Sequence, residues 1–496
     1  MAPVALGQAS RTVGHAGARV SDAARPLDRQ AVALSIAAIA AFAVLRIPAL
    51  MRYPMWTDET WTMALSATDF RRALRMAADD QTHPPLFYVL LWAWRRVFGL
   101  SQFAARALPG LFGIATGAGV VALARRAGFT SRATVFAAAL CAGSGFLVAY
   151  SAELRDYALL GCFAPVALAL WLRARDADEP RGTMRALTIV NVALVYSHYF
   201  GVFVVAAEWI EAAGWARRRL GEMTRSAIVT AVALVPWVAY TVHRAGITGR
   251  RLEVVAWLSR PTASDVLDLP RLAVAGPSVR GLDYVVVATC MAMVGVWLWR
   301  RRGARHADGV RVLGLSIALP VVVAFVGSHI ARQSMWLDRY FIATIPAMLL
   351  LAAAALDALL PRRLTAAGFA MCLVPGAFTV ASLVEGRAKP RYDLVVREIG
   401  TRAPGASVFA SDATVAMPLA AAVERTGADV DVKAYGDART IPVGELWVVW
   451  NEILPPPGPP PTLAFQRNGY AVRDTMSFPA ERDSIVAVRL ARRESR

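Results

Sequence analysis

The chain has 496 residues, of which 56% are hydrophobic and 18% are charged, and its formal net charge is +18. This excess of apolar over charged residues excludes an ordinary soluble protein of several domains and indicates a membrane protein. The positive charge does not indicate nucleic-acid binding, because Lys and Arg form short runs beside apolar segments, as they do in cytoplasmic loops.

The four cysteines lie inside apolar segments and show no CxxC or Cys/His spacing, so we expect neither a disulfide framework nor structural zinc. Residues 1–29 are interpreted as a cytoplasmic N-terminal tail. The apolar run that follows is too long for a signal-peptide core and is expected to remain as the first membrane span.

A helix needs about 20 mostly apolar residues to cross a bilayer, and Lys/Arg bias then orients each span. This procedure predicts an α-helical polytopic membrane protein with about eleven transmembrane helices. The basic tail places the N-terminus in the cytoplasm, and every inner turn is arginine-rich. The predicted spans are 30–50, 107–124, 132–150, 158–174, 185–197, 200–214, 226–242, 282–299, 311–327, 340–359 and 364–384.

The apolar run at 84–98 has two interpretations. As a full span it would place Arg125 and Arg126 outside, against the Lys/Arg rule. We therefore favour a helix in the outer interface, where Trp and Tyr are common. The first outer loop with its interfacial helices then covers residues 51–106, inside a transmembrane catalytic domain at 30–385.

Residues 386–496 differ in character, since charge rises and apolar runs shorten to strand length. They predict a small extracytoplasmic α/β domain. Its predicted strands are Ser407–Ser411, Val430–Tyr435, Glu445–Trp450, Tyr470–Phe478 and Ser484–Ala491, with helices near Tyr392–Thr401 and Val415–Thr426, and PPPGPPP at 455–461 interrupts the pattern.

Four polar segments lie at the outer ends of the predicted spans, where ionisable groups indicate function by default. They are YPMWTDETW (53–61) with Asp58 and Glu59, QTHPPLFY (81–88) with His83, YSAELRDY (150–157) with Glu153, Arg155 and Tyr157, and SHIARQSMWLDRYF (328–341) with Arg332, Arg339 and Tyr340. Each also has a structural interpretation: a solvated helix start, a rigid HPP turn, or ion pairs and headgroup anchors. His198 and His243 are interpreted as structural.

The ordered set of motifs resembles the GT-C glycosyltransferases of family 39, which include protein O-mannosyltransferases and the aminoarabinose transferases of lipid A. The matching pieces run from about residue 30 to 385 and are WTDETW, HPPLFYVLLWAWRRVFG followed by ARALPGLFG, YSAELRDYAL and DRYFIATIPAMLLL. No single piece is specific, but their order and spacing are.

The resemblance implies transfer of a sugar from a polyprenyl phosphate to a hydroxyl of a protein, lipid or glycan, on the outer face of the plasma membrane. It places the catalytic aspartate at Asp58 and a second acidic position at Glu153. It also places Arg339 and Tyr340 near the carrier phosphate.

Chemistry argued from the residues agrees with this. A sugar on a lipid phosphate already carries a good leaving group, so the enzyme needs a base for the acceptor hydroxyl and cations for the departing phosphate. We expect a single inverting displacement with Asp58 as base and Glu59 beside it as the second catalytic carboxylate. The expected donor-phosphate and substrate residues are His83, Glu153, Arg155, Tyr157, Arg332, Arg339 and Tyr340.

A divalent cation, Mg²⁺ or Mn²⁺, held by Asp58 and Glu153 is compatible with these residues, since carboxylate and phosphate oxygens are hard ligands. Neither a Walker motif nor a Gly-rich nucleotide loop occurs, so a nucleotide-sugar donor is not indicated. The alternative is a transporter or flippase for a lipid-linked or anionic substrate, and a non-catalytic scaffold is a further one. The charge-poor centres of the spans favour the enzyme.

Overall fold

The computed structural model describes residues 29–52, 54–99, 101–249, 258–276, 291–296, 307–385, 389–434, 445–451, 461–479 and 484–492. The N-terminal tail, Tyr53, most of the predicted span at 282–299 and most of PPPGPPP lie outside the described residues.

Helices dominate the described chain as far as residue 385. They are α1 (Arg29–Arg52), α2 (Thr57–Ala67), α3 (Phe70–Asp80), α4 (Leu86–Phe98), α5 (Gln102–Arg126), α6 (Ser131–Gly143), α7 (Gly145–Ser151), α8 (Tyr157–Asp176), α9 (Arg181–Ser197), α10 (Gly201–Trp215), α11 (Leu220–Thr248), α12 (Ala263–Ala275), α13 (Ala307–Ile330), α14 (Ile345–Leu359) and α15 (Thr365–Val384). Short 3-10 helices lie at Arg217–Arg219, Asp338–Ala343 and Arg362–Leu364, and residues 291–296 are helical.

Six helices of the described chain are long and apolar enough to cross a bilayer, and the bent pair α6 and α7 would make a seventh. The helices α9, α10 and α14, which were predicted as spans, have only 17, 15 and 15 residues. The predicted membrane protein is thus confirmed in class, whereas the count of about eleven spans is not. The six candidates are Arg29–Arg52, Gln102–Arg126, Tyr157–Asp176, Arg217–Thr248, Asp308–Ile330 and Arg362–Val384.

The predicted span 132–150 is broken by a bend of 51° between α6 and α7. Ser144 lies at the break, where its hydroxyl accepts the Leu147 N–H at 3.2 Å and donates to the Ala273 carbonyl at 2.6 Å. A Cβ on Gly143 would lie 1.9 Å from the Cys372 carbonyl oxygen, so only glycine allows this approach. The bend is followed by α7 and by the turn that contains Glu153 and Arg155.

Residues 51–106, interpreted from the sequence as the first outer loop, are largely helical. The helix predicted at 84–98 is α4, and α2 and α3, whose bounds the sequence analysis did not give, precede it. Arg95 of α4 is buried and donates to the Met63 carbonyl at 2.6 Å and to the Ser66 hydroxyl. These bonds fix α2, which carries Asp58, against α4.

The C-terminal unit is a five-stranded sheet with strand order β2-β1-β3-β5-β4, in which β1 pairs parallel with β2 and β3 and the other pairs are antiparallel. Its strands are β1 (Ala406–Ala410), β2 (Val430–Ala434), β3 (Leu446–Asn451), β4 (Tyr470–Pro479) and β5 (Ser484–Arg492), and its helices are α16 (Tyr392–Arg402), α17 (Ala413–Thr426) and α18 (Thr462–Arg467). The predicted α/β fold is confirmed, with strand ends within one or two residues. Helix α18 was not predicted.

Candidate active site

The four predicted polar segments meet at one end of the helical part. Arg339, in the 3-10 helix before α14, has its Nη2 atom 3.4 Å from Oδ2 of Asp58 in the first turn of α2. Arg155, in the turn between α7 and α8, has Nη2 3.0 Å from Nδ1 of His83, which precedes α4. Segments up to 281 positions apart thus form one cluster.

Asp58 is the most accessible acid of this cluster. Its side chain is 26% exposed, compared with 0% for Glu59 and 2% for Glu153. Among the described residues its carboxylate pairs only with Arg339, while Thr62 donates to its backbone carbonyl at 2.8 Å. The Asp58 carboxylate is therefore held from one side and open on the other.

Glu59 does not share this exposure. Its carboxylate accepts two bonds from Arg106, at 2.7 and 2.5 Å, and one from the Leu154 backbone N–H at 2.9 Å. Both charged side chains are fully buried. Because partners occupy both oxygens of this buried carboxylate, the geometry favours a positioning role for Glu59 over the expected catalytic one.

His83 is buried and has a defined tautomer. A guanidinium can only donate, so Nδ1 of His83 accepts from Arg155 and Nε2 carries the proton of the neutral ring. Burial, followed by the charges of Arg155 and Arg339, holds the pKa of His83 well below its ordinary value. His83 is thus a neutral N–H donor. The sequence analysis grouped it with the cations that offset the charge of the phosphate.

Glu153 and Arg155 occupy the turn that follows the bend. Burial raises the pKa of Glu153, while the charges of Lys389 and Arg339 oppose that rise. Arg155 is buried and also donates to the Thr62 hydroxyl at 3.3 Å, which joins the turn to α2. Both residues lie where the sequence predicted.

Aromatic rings surround the guanidinium of Arg339. Its Cζ lies 5.5 Å from the centre of the Trp56 ring and 5.6 Å from that of Tyr157. The Tyr157 hydroxyl is buried and has no hydrogen-bond partner among the described residues. The Tyr340 ring packs 4.8 Å from that of His198. These contacts bring Tyr157 and Tyr340 into the cluster.

Arg332 is not brought into the cluster. It lies after α13, is exposed, and forms no hydrogen bond or ion pair within the described part of the chain. Its predicted contact with the phosphate has no support in this geometry.

Two residues of the cluster were missed by the sequence analysis. Asp156 is buried beside His83, with 3.7 Å between its Oδ1 and Nε2 of the histidine, and burial raises its pKa to about 7 against the opposing charge of Arg155. His198, interpreted as structural, lies 5.3 Å from the His83 ring. The only signal for His198 was its place directly after a predicted span.

His83, Asp156 and His198 form a buried group whose potential metal-ligating atoms lie within 4.8 Å of one another. The tautomers do not suit a metal. Nδ1 of His198 accepts the Phe200 backbone N–H at 3.1 Å, so its Nε2 carries the proton, as in His83. Metal-bound histidines show the reverse, with one nitrogen free to ligate and the other donating.

The divalent cation considered as an option at Asp58 and Glu153 fits no better. Arg339 pairs with Asp58, and Lys389 has its Nζ 3.5 Å from Oε2 of Glu153. Each carboxylate is already balanced by a cation. A divalent metal ion would be repelled by the positive charges of Arg339 and Lys389. The arrangement therefore suits an anion, such as a phosphate group, better than a metal ion.

Comparison with known proteins adds three findings. Residues 82–242 match the family model of dolichyl-phosphate-mannose-protein mannosyltransferases. No curated protein sequence matches the chain significantly. Among solved structures, ArnT from Cupriavidus metallidurans in the apo state aligns with a TM-score of 0.56 and 16% identity, over 93% of this chain and 98% of ArnT.

The same ArnT bound to undecaprenyl phosphate gives a TM-score of 0.56 and 15% identity, over 92% of this chain and 98% of ArnT. The Archaeoglobus fulgidus oligosaccharyltransferase tethered to an acceptor peptide aligns with a TM-score of 0.47 and 12% identity, over 85% of this chain and 69% of the oligosaccharyltransferase.

The ArnT alignment shows that nearly the whole chain has an ArnT-like fold. The family match spans two of the four polar segments, those containing HPP and YSAELRDY. Together they show an ArnT-like fold and, over residues 82–242, similarity to dolichyl-phosphate-mannose-protein mannosyltransferases, in agreement with the resemblance found from the sequence motifs.

Proposed function

We propose that this protein transfers a sugar from a polyprenyl phosphate to an acceptor hydroxyl of a lipid, glycan or protein, with Asp58 as general base. One observation carries the proposal. Asp58 is a partly exposed carboxylate beside a cluster of buried cations and neutral N–H donors. A base and an anion-binding surface are the two parts this reaction requires.

In the proposed step, the acceptor oxygen attacks the anomeric carbon while its proton passes to the Asp58 carboxylate. The bond between the anomeric carbon and the phosphate oxygen breaks, and the electron pair leaves with the polyprenyl phosphate. Attack from the face opposite the leaving group inverts the anomeric configuration in one displacement, with no covalent enzyme intermediate.

The leaving phosphate gains negative charge as the bond breaks. Arg155 and Arg339 would stabilise that charge, because a planar guanidinium makes paired contacts to phosphate oxygens. The Nε2–H of His83 supplies a further donor without adding charge. No metal ion takes part in this mechanism.

A lipid-phosphate donor is supported by the relatives. The family model is named for enzymes of dolichyl-phosphate-mannose, and ArnT has been solved with undecaprenyl phosphate.

We place the site and the C-terminal unit on the extracytoplasmic face of the plasma membrane, because the arginine-rich turns lie at the other ends of the spans. Cysteine labelling in intact cells tests this topology, since the described cysteines Cys141, Cys162 and Cys372 are buried. A reporter cysteine at Asp431, which is exposed, should react from outside, and one at Arg126 should not. The opposite pattern would refute the orientation.

The function is tested in proteoliposomes with a panel of polyprenyl-phosphate sugars. We expect Asp58→Asn to lower transfer by about 10²- to 10⁴-fold, the usual contribution of a general base. Asp178→Asn is the matched control, because Asp178 is exposed in the turn between α8 and α9. Equal transfer by wild type and Asp58→Asn would contradict the proposal.

A further inference from the structure

Lysine is rare in this chain. Among the 54 Lys and Arg residues only two are lysines, Lys389 and Lys433. Lys433 is partly exposed on β2 and pairs with Asp431. Lys389 is buried and lies at the start of the C-terminal unit, next to the cluster that contains Asp58. One of the two lysines is thus placed at the proposed active site.

Lys389 contacts two different parts of the helical region. Its Nζ lies 3.5 Å from Oε2 of Glu153, in the turn between α7 and α8, and 4.0 Å from the centre of the Trp56 ring. Trp56 directly precedes α2 and lies two residues before Asp58. A single ammonium group therefore connects the second acidic position to the start of the helix that carries the proposed base.

A second contact holds the C-terminal unit against the same helix. The hydroxyl of Thr57, the first residue of α2, donates to the Thr414 carbonyl of α17 at 3.0 Å. The C-terminal unit therefore touches α2 through Thr414 on one element and Lys389 on another. This docking places Lys389 where it can act on the site.

The charge of Lys389 matters because Glu153 is almost completely buried, with 2% of its side chain exposed. Four charged groups act on this carboxyl: Lys389 and Arg339 favour its ionised form, while Glu59 and Asp58 disfavour it. The Oε1 atom of Glu153 has no hydrogen-bond partner among the described residues. Its ionised state thus depends on two neighbouring cations.

An ammonium group suits this position better than a guanidinium. Lys presents one compact charge, which faces the Trp56 ring and the Glu153 carboxylate together. The planar fork of an arginine is larger and favours paired bonds to one carboxylate. This accounts for a lysine at this position in a chain that has one other lysine, Lys433.

We propose that Lys389 of the C-terminal unit is a positioning residue for sugar transfer: it keeps Glu153 ionised and fixes Trp56, and thereby orients the start of α2 and the Asp58 carboxylate. The C-terminal unit would then complete the active site instead of being an appended domain. This inference rests on the proposed function, because its kinetic readout is the transfer reaction.

Three variants test the inference: Lys389→Met, which removes the charge but keeps a similar length, Lys389→Arg, which keeps the charge, and Lys433→Met as the matched control. Each is reconstituted in proteoliposomes and assayed with the donor that wild type accepts best. The measurements are kcat and KM across a range of pH, and the melting temperature.

We expect Lys389→Met to lower kcat/KM at least tenfold and to move the acid limb of the pH profile up by about one pH unit, because a carboxyl without its cation binds a proton more readily. Lys389→Arg should restore the acid limb but only part of kcat/KM. Lys433→Met should match wild type. Wild-type kinetics for Lys389→Met would overturn the inference, as would lost activity with an unmoved acid limb, which indicates a merely structural role.

Hydrogen exchange separates this inference from the proposed function. In Lys389→Met, amides of residues 54–66 should exchange faster than in wild type or Lys433→Met, whether or not any sugar is transferred. If wild type transfers no sugar but this exchange pattern is found, the proposed function fails while the link from Lys389 to α2 stands. Unchanged exchange in Lys389→Met would refute that link.

Discussion

The buried pair of Glu59 and Arg106 allows a sharp test of which acid performs the chemistry. Both side chains are fully buried, and the guanidinium donates twice to the carboxylate, at 2.7 and 2.5 Å. Removing one partner of such a pair costs about 3–5 kcal/mol, because the other charge is left buried and unpaired. Replacing both by neutral groups costs much less, since neither charge remains.

We therefore predict that Arg106→Met alone lowers the melting temperature and the transfer rate, because the start of α2 shifts. The double variant Glu59→Gln with Arg106→Met should regain most of the melting temperature and most of the transfer rate. The amide oxygen that Glu59→Gln introduces can still accept the Leu154 N–H, which the wild-type carboxylate binds at 2.9 Å. The protein is assayed in detergent for melting and in proteoliposomes for transfer.

The double variant gives opposite outcomes for the two roles of Glu59. As a positioning residue it can be replaced together with its partner, and Asp58 continues to act. A double variant that melts like wild type but transfers no sugar would show that the Glu59 carboxylate itself is needed, and the reasoning from burial would be refuted.

Three further predictions follow from the same geometry. Arg339→Ala should raise KM for the lipid donor at least tenfold, while Arg332→Ala, which removes an exposed guanidinium outside the cluster, should match wild type in the same assay. Burial raises the pKa of Asp156 from 3.8 to about 7, so the folded state favours the protonated carboxyl and the free energy of unfolding falls as pH rises between these values. The melting temperature of wild type relative to Asp156→Asn should therefore fall over this pH range. A constant difference in melting temperature would contradict the prediction. Gly143→Ala would place a Cβ against the backbone of α15 and should cost about 1–3 kcal/mol with reduced transfer, whereas Gly182→Ala, with open space around it, should leave melting unchanged.

The meeting of the polar segments was predictable because the orientation of the spans places all four segments at the same face of the helical part. Arginine-rich turns mark one face, so the ends of the intervening helices must lie at the other. Asp58, His83, Arg155 and Arg339 belong to separate segments, and each lies in the observed cluster. The sheet was predictable for a different reason, since alternating apolar residues and turn signals are local.

The different environments of Asp58 and Glu59 could not be predicted. The two acids are adjacent, and neighbouring positions on a helix point in directions about 100° apart. One therefore faces the open site and the other faces Arg106, which is 47 positions away in the chain. Only the contact between α2 and Arg106 of α5 shows that Glu59 is the buried acid and Asp58 the accessible one.

Lys389 and His198 were missed because neither belongs to a recognisable motif. Lys389 reaches Glu153 across a long separation in sequence, and its contact depends on how the C-terminal unit docks. The bend at Ser144 was also invisible, since an apolar run of that length predicts a straight span. The chain also approaches Cys372 closely at Gly143, next to the bend, and this tertiary contact is not visible in the sequence.

The stereochemistry of transfer tests the central mechanism most directly. A polyprenyl-phosphate sugar of known anomeric configuration is turned over by the reconstituted protein, and the configuration of the product is read by NMR. A single displacement with Asp58 as base predicts inversion. Retention would contradict the account, because it requires a covalent intermediate on a carboxylate, and so would the absence of transfer from every polyprenyl-phosphate sugar tested.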